Sequence, residues 1–357
     1  MGEFKVQRLG TIMVPEPGNA LEAEGVLNPA AVRGPDGNLY LFPRMVAKGN
    51  YSRIGIAKVL FNDAGDPTGV ERLGVVLEPE ADYELRPDGG GCEDPRISYV
   101  PVLQHYVMTY VAFGPNGPRI AVARSTDLFK WERVGLATFT PYKGLKFEGI
   151  NNKDSCVFSE EIISPAGDKK YAIVHRPLFP GTTPEEIAGQ SNDREVDDHR
   201  ESIWISYKPL DHDHHVVIKD AGFTSHYHLA TPVADWEKLK IGCGSPPVMT
   251  PHGWMMIYHG VKMADGKGDA KQRLTYSAGV MILSKDDPRN ILYRSPEPIL
   301  KPELPEERVG LIANVVFPTG IDHRVDIGMP NRFDIYYGMA DDRIGVARLD
   351  MPDELPA

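Results

Sequence analysis

Residues 89–100 read GGGCEDPRISYV, in which three glycines run into two adjacent carboxylates, Glu93 and Asp94, followed by Pro95, Arg96 and a β-rich stretch. A carboxyl on so constrained a backbone can give or take a proton in a reaction, and burial or a neighbouring negative charge such as Glu93 would keep Asp94 protonated near neutral pH. Taken alone, the stretch is equally an ordinary acidic turn entering a strand, since Gly, Pro and Asp all favour turns. Other capable groups are spread along the chain: Arg44 in FPRMV, Lys153 and Asp154 in EGINNKDSCVF, His175 and Arg176 in VHRPLFP, and Lys240 in KIGCGSPP. Tyr258 and His259 in IYHGV, Tyr276 opening YSAGV, Asn314 in NVVFP and Asp341 in YYGMADD complete the set. Each stands at a strand end or in a Gly/Pro turn, where a rigid β scaffold displays functional loops. Singly, such residues read as solvated rim charges or satisfied structural histidines.

The elements that must position them are strands. LYLFPRMV (39–46), RIGIAKVLF (53–61), HYVMTYVAFG (105–114), RIAVARS (119–125), KYAIVHRP (170–177), SIWISYK (202–208), GWMMIYHGV (253–261), YSAGVMIL (276–283) and DIYYGMA (334–340) are short, rich in Val, Ile and Tyr, and bounded by turn residues. Helical periodicity is confined to EEIAGQ and VADWEKLK, too brief to cover a parallel sheet, so the fold class is all-β. YSRIGIAKV, PRIAVARSTDLFKW, ESIWISYKPL and DDRIGVARLD share a local grammar at spacings of several tens of residues, the mark of stacked or radial β repeats. At about 70 residues per repeat the length makes five four-stranded blades, although a β-sandwich or two small β domains fit the strand pattern almost as well. No linker composition divides the chain, which favours a single domain over 1–357 with the first twenty or so residues and the C-terminal tail peripheral.

Composition bounds the function. The chain has 357 residues, 41% hydrophobic and 25% charged, enough for a large core. A net charge of −11 argues against nucleic acid or an anionic membrane as partner, because both need a basic surface. No apolar run approaches a membrane span and MGEFKVQRLGTIMVPEPGNA has no leader pattern, so a cytoplasmic protein is expected. A homo-oligomer is compatible with all of this. Cys92, Cys156 and Cys243 lack close-pair spacing and read as small buried residues. DHDHH (211–215) has metal-ligand residue types but reads as a surface turn, so no metal is expected. LPEERVG (304–310) and the tail DMPDELPA read as solvated acidic segments, and 179–201 as a long surface loop.

Taken in order, the motifs are more specific than their parts. EDPRI, then KD followed by HRP, then KIGCGSPPVMTPHGWMMIYHGV, then Tyr-x-x-Gly at 276–279, then NVVFP and YYGMAD resemble glycoside hydrolase family 130, the mannoside phosphorylases and their mannosidase relatives, from about Asn28 to about Val346. The resemblance implies a five-bladed β-propeller and an inverting phosphorolysis of β-mannosides that releases α-mannose 1-phosphate. It implies Asp94 as general acid, Lys153, Arg176, Lys240, His259 and Tyr276 as phosphate-binding or adjacent groups, and Asn28, Arg44 and Asp341 around the mannose. Inorganic phosphate is then a co-substrate and no cofactor is needed. Lys153 departs from family members that carry Arg there, keeping the charge but losing a bidentate fork. An inverting hydrolase, with Glu148 or Asp154 activating water, stays open, as does a non-catalytic glycan-binding propeller.

Overall fold

The computed structural model describes residues 2–179, 198, 200–209, 222–263 and 273–356, and EEIAGQ and DHDHH lie outside them. Within this range the chain is all-β, and VADWEKLK forms only a single 3-10 turn, Asp235–Glu237. No helix among the described residues is long and apolar enough to cross a membrane.

Five antiparallel units follow one another, each with four principal strands, and the short strands Ile162–Ile163 and Val248–Thr250 pair beside the third and fourth units. The first is Gly25–Arg33, Leu39–Ala47, Tyr51–Phe61 and Pro67–Leu77, and the second Gly90–Val100, His105–Gly114, Gly117–Ser125 and Glu132–Leu136. The third is Asn151–Val157, Lys169–Leu178, Ile203–Lys208 and Ser225–Ala230, and the fourth Lys240–Cys243, Gly253–Met263, Leu274–Leu283 and Ile291–Arg294. The fifth takes Val316–His323, Arg332–Met339 and Arg343–Asp350 from the C-terminal part and its last strand, Lys5–Met13, from the N-terminus. The first twenty residues are therefore not peripheral: nine of them complete a sheet and spare Arg343–Asp350 an open edge.

The second strands are buried almost throughout, as GWMMIYHGV illustrates, because each sheet is covered on both faces. Met108 and Phe42 belong to an apolar cluster between the first and second units, and Val122 and Ile173 to one between the second and third. Val174 with Met256, Ile257 with Ile335, and Val26 with Tyr336 mark the corresponding clusters between the third and fourth, fourth and fifth, and fifth and first units. A short parallel pairing, Tyr51↔Gly90 and Ser52↔Gly91, stitches the first two units into one sheet. It explains the glycine run: Gly89, Gly90 and Gly91 all have positive φ, and a Cβ on Gly91 would stand 2.2 Å from the Ser52 carbonyl oxygen.

A repeated electrostatic clamp fixes where four of the units begin. Glu22, Glu84, Glu237 and Glu307 precede the first strands of the first, second, fourth and fifth units, and each is fully buried. Each binds an arginine of its own unit's last strand: Arg72, Arg133, Arg294 and Arg8. In three units a second-strand tyrosine also donates to it, namely Tyr110, Tyr258 and Tyr337. Backbone N–H groups of Glu80 and Ala81 fill the remaining acceptor sites of Glu84. LPEERVG is thus only partly solvated, because Glu307 is its anchor. Burial alone would push the Glu84 and Glu307 carboxyls up, but the arginine and backbone bonds overcome it and hold both below the usual range.

Removing one partner of a buried pair leaves an uncompensated charge or polar group, so Glu84→Ala, which strands Arg133 and Tyr110, should cost about 3–5 kcal/mol in denaturant unfolding. Because the folded carboxyl lies below its unfolded value of 4.5, its contribution is whole above that pH and lost as pH falls through the folded value. The difference between wild type and Glu84→Ala should accordingly shrink on acidification below pH 4.5. A constant difference down to pH 3 would remove the ionic part of this account.

Candidate active site

First strands of different units pack on one another, as Gly25–Arg33 does on Gly90–Val100 and on Val316–His323, and three of the first strands break their ladder in the same way. Asn28, Asp94 and Asp154 adopt left-handed φ values of 44°, 47° and 50°, each within a register shift of the strand, between Leu27 and Ala30, Glu93 and Arg96, and Lys153 and Cys156. A bulge re-aims the side chain, and Asn and Asp tolerate this backbone better than other residues with a Cβ. Asp341 arrives differently, in the turn Met339–Asp342, closed by Asp342 N–H to the Met339 carbonyl at 3.0 Å with positive φ at both Ala340 and Asp341. Such a turn usually carries Asn-Gly, so an Ala-Asp pair there is backbone strain retained at a cavity wall.

These side chains meet in one cavity of about 670 Å³, lined by Asn28, Arg44, Glu93, Asp94, Lys153, Asp154, Arg176, Lys240, Tyr276 and Asp341 together with Phe113, Phe317 and an apolar rim that includes Leu311 and Ile312. Eight of the nine site residues expected from the sequence are brought together there. The ninth, His259, is wholly buried just behind the wall, its Nε2 3.5 Å from Asp154 Oδ2 and its ring tilted by 40° against Phe317 with the centroids 4.4 Å apart. Gly242 sits opposite His259 in the ladder because a Cβ would come within 2.3 Å of Asp154 Oδ2 and 2.5 Å of the His259 ring. His175 is elsewhere, bonded to Asn152 and Ser206 under a ring cluster, and Tyr258 belongs to the Glu237 clamp. Asn314 acts through its carbonyl, which accepts the Tyr276 N–H at 3.0 Å.

The cavity has two electrostatic halves. On one wall Asp94 Oδ1 accepts from Asn28 Nδ2 at 2.9 Å and from Arg44 Nη1 at 3.3 Å, while Arg44 Nη2 also reaches Glu93 at 2.8 Å. Arg96, the arginine of the DPR motif, does not face the cavity space: it is 1% exposed and donates to the carbonyls of Asp94, Cys243 and Gly244, tying the second unit to the fourth. Burial pushes Asp94 up, yet Arg44, Arg96 and Asn28 outweigh it and hold the carboxyl below its usual range. Burial, with Asp94 and Glu93 close by, instead pushes Asp341 up to about 6. Two carboxyls on one wall are thus driven apart, the pattern that separates proton donors from charged stabilisers.

The other half is cationic. Arg176 Nε meets Asp154 Oδ2 at 2.7 Å and its Nη1 meets Glu201, while Lys240 Nζ is 3.7 Å from Glu201 and 5.8 Å from the Tyr276 ring centroid. Lys153 Nζ lies 5.9 Å from the Phe113 ring centroid. Burial pushes the Asp154 carboxyl up, but Arg176, Arg96 and Lys153 outweigh it and hold the carboxyl well below the usual range, whereas burial lowers His259 to about 3, so the imidazole is neutral. Burial also pushes Tyr276 up to about 12, keeping its hydroxyl a donor at neutral pH. Asn28 Oδ1 and both His259 ring nitrogens are buried without a hydrogen-bond partner, which is where a bound polar ligand or water would be satisfied. Glu148 is exposed and does not line the cavity. Glu201, Phe113 and the inter-unit role of Arg96 were not legible in the sequence, since nothing in it sets Glu201 and Phe113 apart from rim or core residues or links Arg96 to Cys243 and Gly244. Cys92, Cys156 and Cys243 are buried and free, and the last two touch beneath the site. Among the described residues no group of three His, Cys, Asp or Glu is arranged to hold a metal.

Fold and site together define an all-β protein with a carboxylate wall facing a cluster of cations across one cavity. The chain belongs to glycoside hydrolase family 130: the family described as beta-1,4-mannooligosaccharide phosphorylase matches residues 8–355. It is 31% identical over 359 residues to the 1,2-beta-oligomannan phosphorylase of Thermoanaerobacter sp. (strain X514), covering 98% of this chain and 99% of that protein. It is 37% identical over 260 residues to the beta-1,4-mannooligosaccharide phosphorylase of Ruminococcus albus, covering 73% of this chain and 63% of the other. The fold is similar to the solved beta-1,2-mannobiose phosphorylase from Listeria innocua in complex with beta-1,2-mannobiose, with a TM-score of 0.70 at 20% identity over 98% of this chain and 97% of that one.

The raised Asp341 makes a prediction with a definite sign. A carboxyl raised from 3.8 unfolded to about 6 folded stabilises the fold fully at low pH, and that contribution is lost as pH rises through 6. Asp341→Asn, which cannot ionise, should melt higher than wild type at pH 7.5, with the gap closing as the pH is lowered through the same window. Equal melting temperatures at pH 7.5 would show that Arg44 neutralises Asp341 completely.

Proposed function

We propose that the protein is an inverting phosphorylase of β-mannosides that transfers the mannosyl group to inorganic phosphate and releases α-mannose 1-phosphate. The observation that carries this reading is the union, in one cavity, of Asp94 with the cations Lys153, Arg176 and Lys240. Breaking the glycosidic bond requires a proton for the leaving oxygen, which is the role proposed for Asp94. In the free protein Asp94 is held ionised, so it must take up its proton as the sugar excludes water and phosphate brings negative charge beside it, both of which favour the neutral carboxyl. Phosphate, cradled by Lys153, Arg176, Lys240 and Tyr276 with neutral His259 behind them, would attack the anomeric carbon from the face opposite the leaving group. The C1–O bond to the leaving sugar breaks as the C1–O bond to phosphate forms, and the configuration inverts. Asn28, Arg44 and Asp341 would hold the mannose hydroxyls, offering donors and acceptors on the same wall.

The hydrolytic alternative finds less support. Of its two candidate bases, Glu148 is exposed and Asp154 is bound to Arg176 at 2.7 Å and stripped of basicity. For the architecture, five four-stranded units each packed on two neighbours, the fifth against the first, support a single-domain five-bladed β-propeller. Its loops would converge on the cavity from every blade.

The decisive experiment is incubation with β-mannosyl disaccharides, differing in linkage and reducing-end sugar, with and without inorganic phosphate. α-Mannose 1-phosphate should form only with phosphate, whereas free mannose at equal rates in both would replace the phosphorylase by a hydrolase. Asp94→Asn keeps the left-handed backbone comfortable and should lower turnover of an unactivated disaccharide by about 10²–10⁴-fold. Retention of more than about a tenth of the activity would take the acid role from Asp94.

A further inference from the structure

Arg176 is held by two carboxylates of different kinds. Asp154 takes its Nε, is 1% exposed, and is flanked by His259 at 3.5 Å and Arg96 at 3.9 Å, so it is a fixed part of the cavity floor. Glu201 takes the outer Nη1, stands 3.7 Å from Lys240 Nζ, and keeps a side chain 22% exposed. Its main chain is fastened separately, through the Ile241 N–H to the Glu201 carbonyl at 3.0 Å. The carboxylate can therefore leave the cations without the chain coming loose. It bridges the same two groups, a planar guanidinium and an ammonium, that a tetrahedral oxyanion would bridge in this cradle.

We infer that Glu201 is the resident counter-anion of the cradle, displaced when inorganic phosphate binds, and that it sets how tightly the empty site takes up phosphate. The inference rests on reading the cradle as a phosphate site. Three cations around one cavity repel one another when no anion is near, and Glu201 removes that cost in the empty protein. Any arriving anion must compete with a carboxylate that the chain keeps at high local concentration. Glu201 thus lowers affinity for every anion by one common factor, set by how seldom the carboxylate leaves the cations open.

The test uses Glu201→Gln, of the same size, with Glu201→Asp as a second variant that keeps the charge but withdraws it by one methylene. Inorganic phosphate is titrated calorimetrically into each protein without sugar, and KM is measured for phosphate and for the β-mannoside separately. Glu201→Gln should bind phosphate more tightly, on the order of tenfold, with KM for phosphate falling in parallel and KM for the mannoside at saturating phosphate unchanged. Nitrate should gain affinity for Glu201→Gln by a factor similar to that for phosphate, and Glu201→Asp should fall between the two. Phosphate binding that is unchanged or weaker in both variants, with melting temperatures like wild type, overturns the inference and makes Glu201 a ligand that only orients Arg176. Selective loss of a phosphate-independent release of mannose in Glu201→Gln would also overturn it, by making Glu201 a base for water. Phosphate binding by none of the three proteins would overturn the cradle itself and this inference with it.

Discussion

A charge inside an all-β protein persists only with a partner, because desolvation of an unpaired carboxylate or guanidinium costs more than a folded domain can spare. This molecule carries buried charge at its periphery and at its centre, and meets the constraint differently in the two places. At the periphery, Glu84, Glu237 and Glu307 saturate their acceptor sites with an arginine, a tyrosine and backbone N–H groups, and Glu22 does so without the tyrosine. Those networks are closed and have nothing left to offer a ligand. At the centre, Asp94, Arg44, Asp154, Arg176 and Lys240 are paired too, but with open sites left on them and with Asn28 Oδ1 and the His259 nitrogens unbonded. The same chemistry that fixes the scaffold becomes reactive where its satisfaction is left incomplete.

The strand ladder is what allows the incomplete half to exist. A regular strand alternates its side chains between two sheet faces, both covered here by neighbouring units, so a residue in register points into apolar packing. Left-handed bulges at Asn28, Asp94 and Asp154 take one side chain per unit out of that alternation and deliver it to the cavity. Pro29, Pro95 and Ser155 follow these residues, and where proline stands it has no N–H for the disrupted ladder to leave unpaired. Arg96 then locks the geometry from below by bonding the Asp94 carbonyl and the opposite unit together, which is why it is spent on structure and is not a free cation.

Legibility followed the same division. All nine strands recognised from composition are second or third strands of their units, and the repeated grammar of YSRIGIAKV, PRIAVARS, ESIWISYK and DDRIGVARLD marks third strands. Those strands are buried on both faces and carry ordinary β residues, so intrinsic preference and burial agree. First strands were missed because glycine, proline and left-handed polar residues are needed there for the site, against β preference, as in CEDPRI and KDSCV. Last strands were missed because they are half-exposed edges, as Glu132–Leu136 shows. The site residues were legible through the order of their motifs, whereas Glu201 was not, lying beside a polar stretch with no pattern of its own. The buried glutamates failed for a related reason: an acidic residue before a strand looks solvated until its arginine, up to 299 positions away, is known.

The third unit breaks the scaffold's rule, and it is the unit that carries most of the anion chemistry. Among the described residues it has no clamp glutamate. Phe139, Phe147, Trp204, His226 and His175 pack there as a ring cluster, with Phe147 and Trp204 edge to face at 5.6 Å and Phe139 stacked on His175 at 4.4 Å. Aromatic packing holds a unit together without placing a second arginine and carboxylate near those of the site. Lys153, Asp154, Arg176 and Glu201 all belong to or adjoin this unit, and an added ion pair would compete with Asp154 and Glu201 for the same guanidinium. Exchanging the electrostatic staple for an aromatic one keeps a further buried ion pair away from Arg176 and Asp154, whose charges are balanced beside the cavity, where a bound anion can take part in the balance.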